Sequence, residues 1–205
     1  MHRQDARADQ QPAGACRQES HEARGVVAPR LGHPHGVEAD ILPCGRIDYP
    51  VDVLDRFDYV IASVHSRLGM NETQMTDRVL KAFEDPHMAI LGHPTGRLLL
   101  TREPFAIDLE AVMAKAARVG VAIELNADPH RLDIDWRACR IAAEQCAMVS
   151  IGPDAHSPMG FENLTLGVAQ ARKGWLSAGN VLNTRSADEV LAFASARRRH
   201  VALAG

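Results

Sequence analysis

YVIASVHSRLGMNETQMTDRVLKAFEDPHMAILGH, residues 59–93, holds one complete strand–helix–strand unit. An apolar run, Tyr59–Val64, is followed by an amphipathic stretch, Asn71–Glu84, and then by a second apolar run, Met88–Leu91. Asn71 can cap the helix, with Gln74 three residues on to complete a capping box. Each apolar run is followed within two residues by a histidine, His65 and His93. A strand, a helix and a second strand within about 30 residues is the grammar of a parallel βα unit.

The same grammar continues on both sides. Further apolar runs lie at Val37–Leu42, Val121–Leu125 and Ala147–Ile151, with a weak one at Asn180–Asn183. Helix-like stretches cover Asp108–Val119, Asp135–Gln145, Phe161–Lys173 and Ser186–Arg197, and Gly120 stands where a helix C-terminal cap belongs. The spacing predicts an α/β fold with a parallel sheet. The first 30 residues contain no Ile, Leu, Phe, Trp or Tyr and follow no helical or strand period, so residues 1–35 are expected to be irregular or disordered. Residues 36–197 read as the domain and 198–205 as a solvated tail.

Composition narrows the function classes. Of 205 residues, 46% are hydrophobic and 24% charged, a balance ordinary for globular domains. No apolar run is long enough to span a membrane and no secretory signal opens the chain. The net charge of −3 argues against a general electrostatic grip on nucleic acid, though not against a local basic groove. The four cysteines form no CxxC pair, which predicts free thiols and a cytoplasmic chain. Cys139 and Cys146 are read as core thiols on one helix face, and Trp136 and Trp175 as packed against neighbouring helices. Ten histidines are a rich supply of the commonest metal ligand.

The polar residues at the strand ends carry the chemistry. Glu38, His65, His93, Glu124, Asp154 and His156 recur at intervals close to one βα unit of roughly 30 residues. The carboxyl ends of parallel strands share one face, so these side chains converge. Carboxylates that converge repel unless a cation neutralises them. Imidazole with carboxylate suits Zn²⁺, Mn²⁺ or iron. Glu38 could bridge two ions, a device for phosphoester hydrolysis. Arg97, four residues after His93, suits a phosphate oxygen pair. Taken singly, a strand-end histidine is an ordinary hydrogen-bonded residue, Glu124 a helix cap, and Asp154–Ala155–His156 a turn.

The segments GVEADILPCGRIDYP (36–50), FDYVIASVHSRL (57–68), ILGHPTGRLLL (90–100), VAIELNADPHRLDIDW (121–136), SIGPDAHS (150–157) and LGVAQARKGWL (166–176) resemble the PHP (polymerase and histidinol phosphatase) superfamily. The likeness is to the C-terminal PHP domain of bacterial family X DNA polymerases and runs from Gly36 to Leu191. It implies a distorted (βα)7 barrel with up to three Mn²⁺ or Zn²⁺ ions. It implies phosphoester hydrolysis at DNA 3′ ends (3′–5′ exonuclease and 3′-phosphatase) in DNA repair. On this resemblance Glu38, His65, His93, Asp154 and His156 are metal ligands that activate water, and Arg97, Ser66 and Asn126 contact substrate. The family's HxH and Asp-His strands should precede Glu38. They are not found there, and His33–Pro34–His35 spells HxH but runs straight into the Glu38 strand. The expectation is a partial barrel lacking its first two βα units, with impaired hydrolysis and a polymerase domain encoded upstream as possible partner. Two other readings stand beside it: an inactive remnant that only packs or binds, and a small-molecule phosphatase of the histidinol phosphate type.

Overall fold

The computed structural model describes residues 34–204. The segment read as irregular therefore lies outside the described residues but for Pro34 and His35. Five strands, β1 (Gly36–Asp40), β2 (Tyr59–Ser63), β3 (Met88–Leu91), β4 (Ala122–Asn126) and β5 (Val149–Gly152), form one sheet. All neighbouring pairs are parallel and the order is β1-β2-β3-β4-β5. Each strand is added beside the last without a reversal. This is the sequence of addition of a singly wound sheet, as in βα barrels, and not of a doubly wound one. The sixth apolar run makes no strand: Val181 forms a single bridge to Val149 between two short 3₁₀ turns.

The helices are α1 (Val51–Leu54), α2 (Glu72–Ala82), α3 (Leu109–Val119), α4 (Trp136–Glu144), α5 (Leu164–Lys173) and α6 (Ala187–Ala204). Local chemistry sets their ends. The Asn71 side chain accepts from Gln74 N while the Gln74 side chain accepts from Asn71 N, the expected capping box. Gly120 closes α3 in the left-handed conformation at φ 75°.

The two faces of the sheet are covered differently. Val60 and Ala62 of β2, Leu91 of β3, and Ile123 and Leu125 of β4 belong to the main buried core, together with Met75 and Val79 of α2, Val112 and Met113 of α3 and Cys139 of α4. The opposite face, carrying Ile90 and Ala122, packs on Leu182 and on Ala194 of α6, with Ile61 and Phe193 at the margin. Along β4, Ala122 rests in this second cluster while Glu124, two residues further on the same face, reaches the strand ends. Thus α6 supports one end of the face whose other end bears the polar residues.

Three expectations need correction. The tail expected from residue 198 is helical over most of its length. Helix α6 continues to Ala204, Arg197 is buried and donates to the carbonyls of Phe83 and Asp85, and Arg198 donates to that of Phe57. Cys146 is exposed, because α4 ends at Glu144 and the chain turns at Cys146 with φ 57°; only Cys139 is a core thiol. Trp175 is exposed at the end of α5, whereas Trp136 has Arg137 and Lys173 over its ring at 4.7 and 5.2 Å.

Candidate metal centre

Glu38 lies mid-way along β1, His65 two residues past β2 and His93 two residues past β3. Parallel register brings their tips together. Glu38 Oε1 lies 3.2 Å from His93 Nε2 and 3.5 Å from His65 Nε2, and the two Nε2 atoms are 3.2 Å apart. Among the described residues this is the one group of three or more His, Cys, Asp or Glu side chains that could hold a metal ion. The donor set fits such an ion. Three lone-pair-bearing atoms form a near-equilateral triangle whose edges match the roughly 3.3–3.5 Å face of a tetrahedron with ligand bonds of about 2.0–2.1 Å. Protons alone satisfy the triangle poorly, because a carboxylate only accepts and a neutral imidazole offers one N–H.

Neighbouring groups fix each donor. The Ser63 hydroxyl donates to Glu38 Oε1 at 2.6 Å. The His93 bond, with that of Ser63 and the nearby imidazole charges, outweighs burial and brings the Glu38 carboxyl down to about 2. Asp40 Oδ1 accepts the backbone N–H of His65 at 3.0 Å and lies 3.4 Å from His65 Nδ1. Glu124 Oε2 accepts the backbone N–H of His93 at 2.6 Å and stands outside the triangle. Its burial raises the carboxyl to about 7. A Cβ at position 152 would fall 2.2 Å from Glu124 Oε1, so the glycine of β5 is what admits this carboxylate. The His93 ring is buried, and the backbone there has φ 22°.

The other expected site residues divide. Asp154 and Asn126 reach the cleft of about 240 Å³ that also contains Glu38 and His93. Asn126 Nδ2 donates to Asp154 Oδ2 at 3.0 Å, and Arg131 Nε lies 3.4 Å from the same oxygen. Neither Asp154 nor His156 joins the triangle. His156 is exposed and its Nδ1 lies 2.9 Å from the Asp154 carbonyl. Arg97 does not face the cleft as a free fork: its Nε and Nη2 donate to the carbonyls of Arg131 and Leu132. Ser66 gives its carbonyl to Arg78 Nη1 at 2.8 Å. His35 is held at the start of β1 by Asp58, which accepts its backbone N–H at 2.9 Å; His33 lies outside the described residues.

Sequence reasoning missed Asp40, Ser63 and Arg78. Asp40 carried a signal, since Glu38-Ala39-Asp40 puts two carboxylates on one strand face. Arg78 is a charge on the buried face of α2. Its guanidinium donates to the carbonyls of Ile41, Leu42 and Ser66, so one side chain ties the loops after β1 and β2.

A singly wound parallel α/β domain with a carboxylate–imidazole cluster at its strand ends is the class that this fold and site define. The DNA polymerase/3'-5' exonuclease PolX of Bacillus subtilis (strain 168) is 42% identical over 158 residues, 77% of this chain and 28% of that protein. A "Probable phosphatase" of Syntrophotalea carbinolica is 32% identical over 130 residues, covering 59% of this chain and 52% of the relative. Another, of Aliivibrio fischeri, is 33% identical over 143 residues, 63% of this chain and 55% of the relative. The chain thus spans just over a quarter of the first relative and about half of the other two. No family model matches. These similarities agree with the PHP-type domain that the sequence motifs resemble.

Proposed function

We propose that the chain is a divalent-metal-dependent phosphoesterase that hydrolyses phosphoester bonds at DNA 3′ ends, as a 3′–5′ exonuclease and 3′-phosphatase of the kind used in repair. The observation that carries the metal chemistry is the triangle of Glu38 Oε1, His65 Nε2 and His93 Nε2. The polymerase/exonuclease likeness supports DNA as substrate. The phosphatase relatives support the same bond class on smaller molecules. The partial (βα)7 barrel is the architecture we assign, from the unreversed strand order, and a polymerase domain is the partner we assign from the same relative.

Glu38, His65 and His93 would hold the ion, Mn²⁺ or Zn²⁺. Bound, it would polarise a phosphoryl oxygen and make hydroxide accessible at neutral pH. The chain's own residues supply the frame. Ser63 and Asp40 keep Glu38 and His65 in position, and Glu124 holds His93 by its backbone. Arg131 puts a guanidinium beside Asp154 at the cleft, with Nη1 buried and without a hydrogen-bond partner. It keeps a donor without a partner, whereas Nε and Nη2 of Arg97 are taken by the carbonyls of Arg131 and Leu132. Asp154 and His156, apart from the triangle here, are assigned as ligands of further ions by the family likeness alone.

Turnover should be assayed with Mn²⁺ or Zn²⁺ on an oligonucleotide bearing a 3′-hydroxyl, one bearing a 3′-phosphate, and a small alkyl phosphate monoester such as histidinol phosphate. The expected order of kcat/KM places both oligonucleotides first. His93→Ala should lower it by more than about a hundredfold, because even outer partners of a ligand are worth about 10–100-fold. Preference for the small monoester would replace DNA with the small-molecule reading. Turnover unchanged in His93→Ala would overturn the site.

A further inference from the structure

Phe161 stands in the wall of the same cleft as Glu38, His93 and Asp154, and 62% of it is exposed. A phenyl ring left in water beside a polar site is unfavourable by burial energetics alone. Phe161 belongs to neither buried cluster nor to the side chains packed against them, so the core of the described residues does not account for it. Nor is its position loose. The 3₁₀ turn Pro158–Asn163 that carries it sits directly on the loop after β5. A Cβ at Gly160 would lie 2.9 Å from Ala155 Cα, so the glycine is what lets the turn press so closely. Asn163 Nδ2 reaches the Pro153 carbonyl at 3.4 Å. The turn that carries the ring is therefore held at a set place relative to Asp154.

An exposed, positioned aromatic beside phosphate-handling groups suits a ligand that carries a flat apolar face attached to a phosphate. Nucleobases have that face whatever their sequence, and stacking on an aromatic side chain is how single-stranded nucleic acid is gripped without base readout. We infer that Phe161 is the platform on which the base of the 3′-terminal nucleotide stacks while its phosphoester lies at the Glu38–His65–His93 triangle. The inference rests on the phosphoesterase reading and deepens it: Phe161 is a specificity residue that selects base-bearing ends over other phosphate esters and acts on no bond.

The test compares two short oligonucleotides that differ only at the 3′ residue, one with its base and one abasic, on the metal-loaded full chain. Phe161→Ala should raise KM for the base-bearing end by about tenfold, leave kcat within about twofold, and leave KM for the abasic end unchanged. Phe161→Trp should keep the wild-type preference. An equal change on both ends, or no change on either, overturns the inference. Metal content of Phe161→Ala equal to that of the wild type shows an intact centre. If neither oligonucleotide is hydrolysed, the phosphoesterase reading has failed. Fluorescence anisotropy with the base-bearing and abasic oligonucleotides then still decides on Phe161: an about tenfold weaker Kd in Phe161→Ala for the base-bearing end alone supports it, and equal Kd values overturn it.

Discussion

Asp40 touches the candidate centre only through His65, by its backbone N–H and by Nδ1. Burial pulls its carboxyl up, but the two His65 contacts outweigh this and hold it below the usual aspartate value. An anion behind a ligating imidazole fixes ring orientation and raises the basicity of the far nitrogen. Asp40→Asn should therefore weaken divalent-metal affinity by about 10–100-fold with the fold retained, measured by competition with a chromogenic chelator. Affinity equal to the wild type would contradict that role. The members of the triangle were legible in the sequence because Glu38 lies in β1 and His65 and His93 follow β2 and β3, and parallel register does the rest. Arg97 shows what was not legible. Its distance from His93 is fixed by the chain, but the carbonyls of Arg131 and Leu132 claim its donors, and they arrive from a turn 34 and 35 residues away.

Between elements, the corner formed by α1, the end of α2 and α6 turns on His87. This buried imidazole meets Asp85 through Nδ1 at 3.1 Å and Asp55, beyond α1, through Nε2 at 2.8 Å. The Asp85 bond, assisted by Asp55, overcomes burial and raises the imidazole above its ordinary 6.5. A group raised on folding stabilises fully below its unfolded value and loses that contribution as pH climbs through the folded one. Melting temperature should thus fall as pH rises from about 6 past neutrality. His87→Gln should lack this step, and its stability deficit, of order 1 kcal/mol, should vanish at the alkaline end. Parallel pH curves for the two proteins would contradict the assignment. The Asn71–Gln74 capping box and Gly120 were readable because they act within a few residues. The docking of α6 was not: Arg197 reads as part of a basic run, and only the carbonyls of Phe83 and Asp85, 114 and 112 residues away, make it an internal anchor.

At the scale of the molecule, an unreversed order of five parallel strands sends every strand end to one side. Helices α2 to α5 cover one face and α6 braces the other, so the carboxyl ends are left free to gather Glu38, His65 and His93 with a cleft beside them. The expected ligand set was wider than the triangle. Spacing alone does not fix where a side chain turns: Asp154 meets Asn126 and Arg131, and His156 is exposed. Glu38, His65 and His93 are proposed to hold a divalent ion. Elemental analysis of the purified chain, loaded with Mn²⁺ or Zn²⁺ and freed of excess metal, tests it most directly. About one ion per folded chain is expected, lost in both His65→Ala and His93→Ala. A folded chain that retains no ion, or one whose metal survives both substitutions, would contradict it.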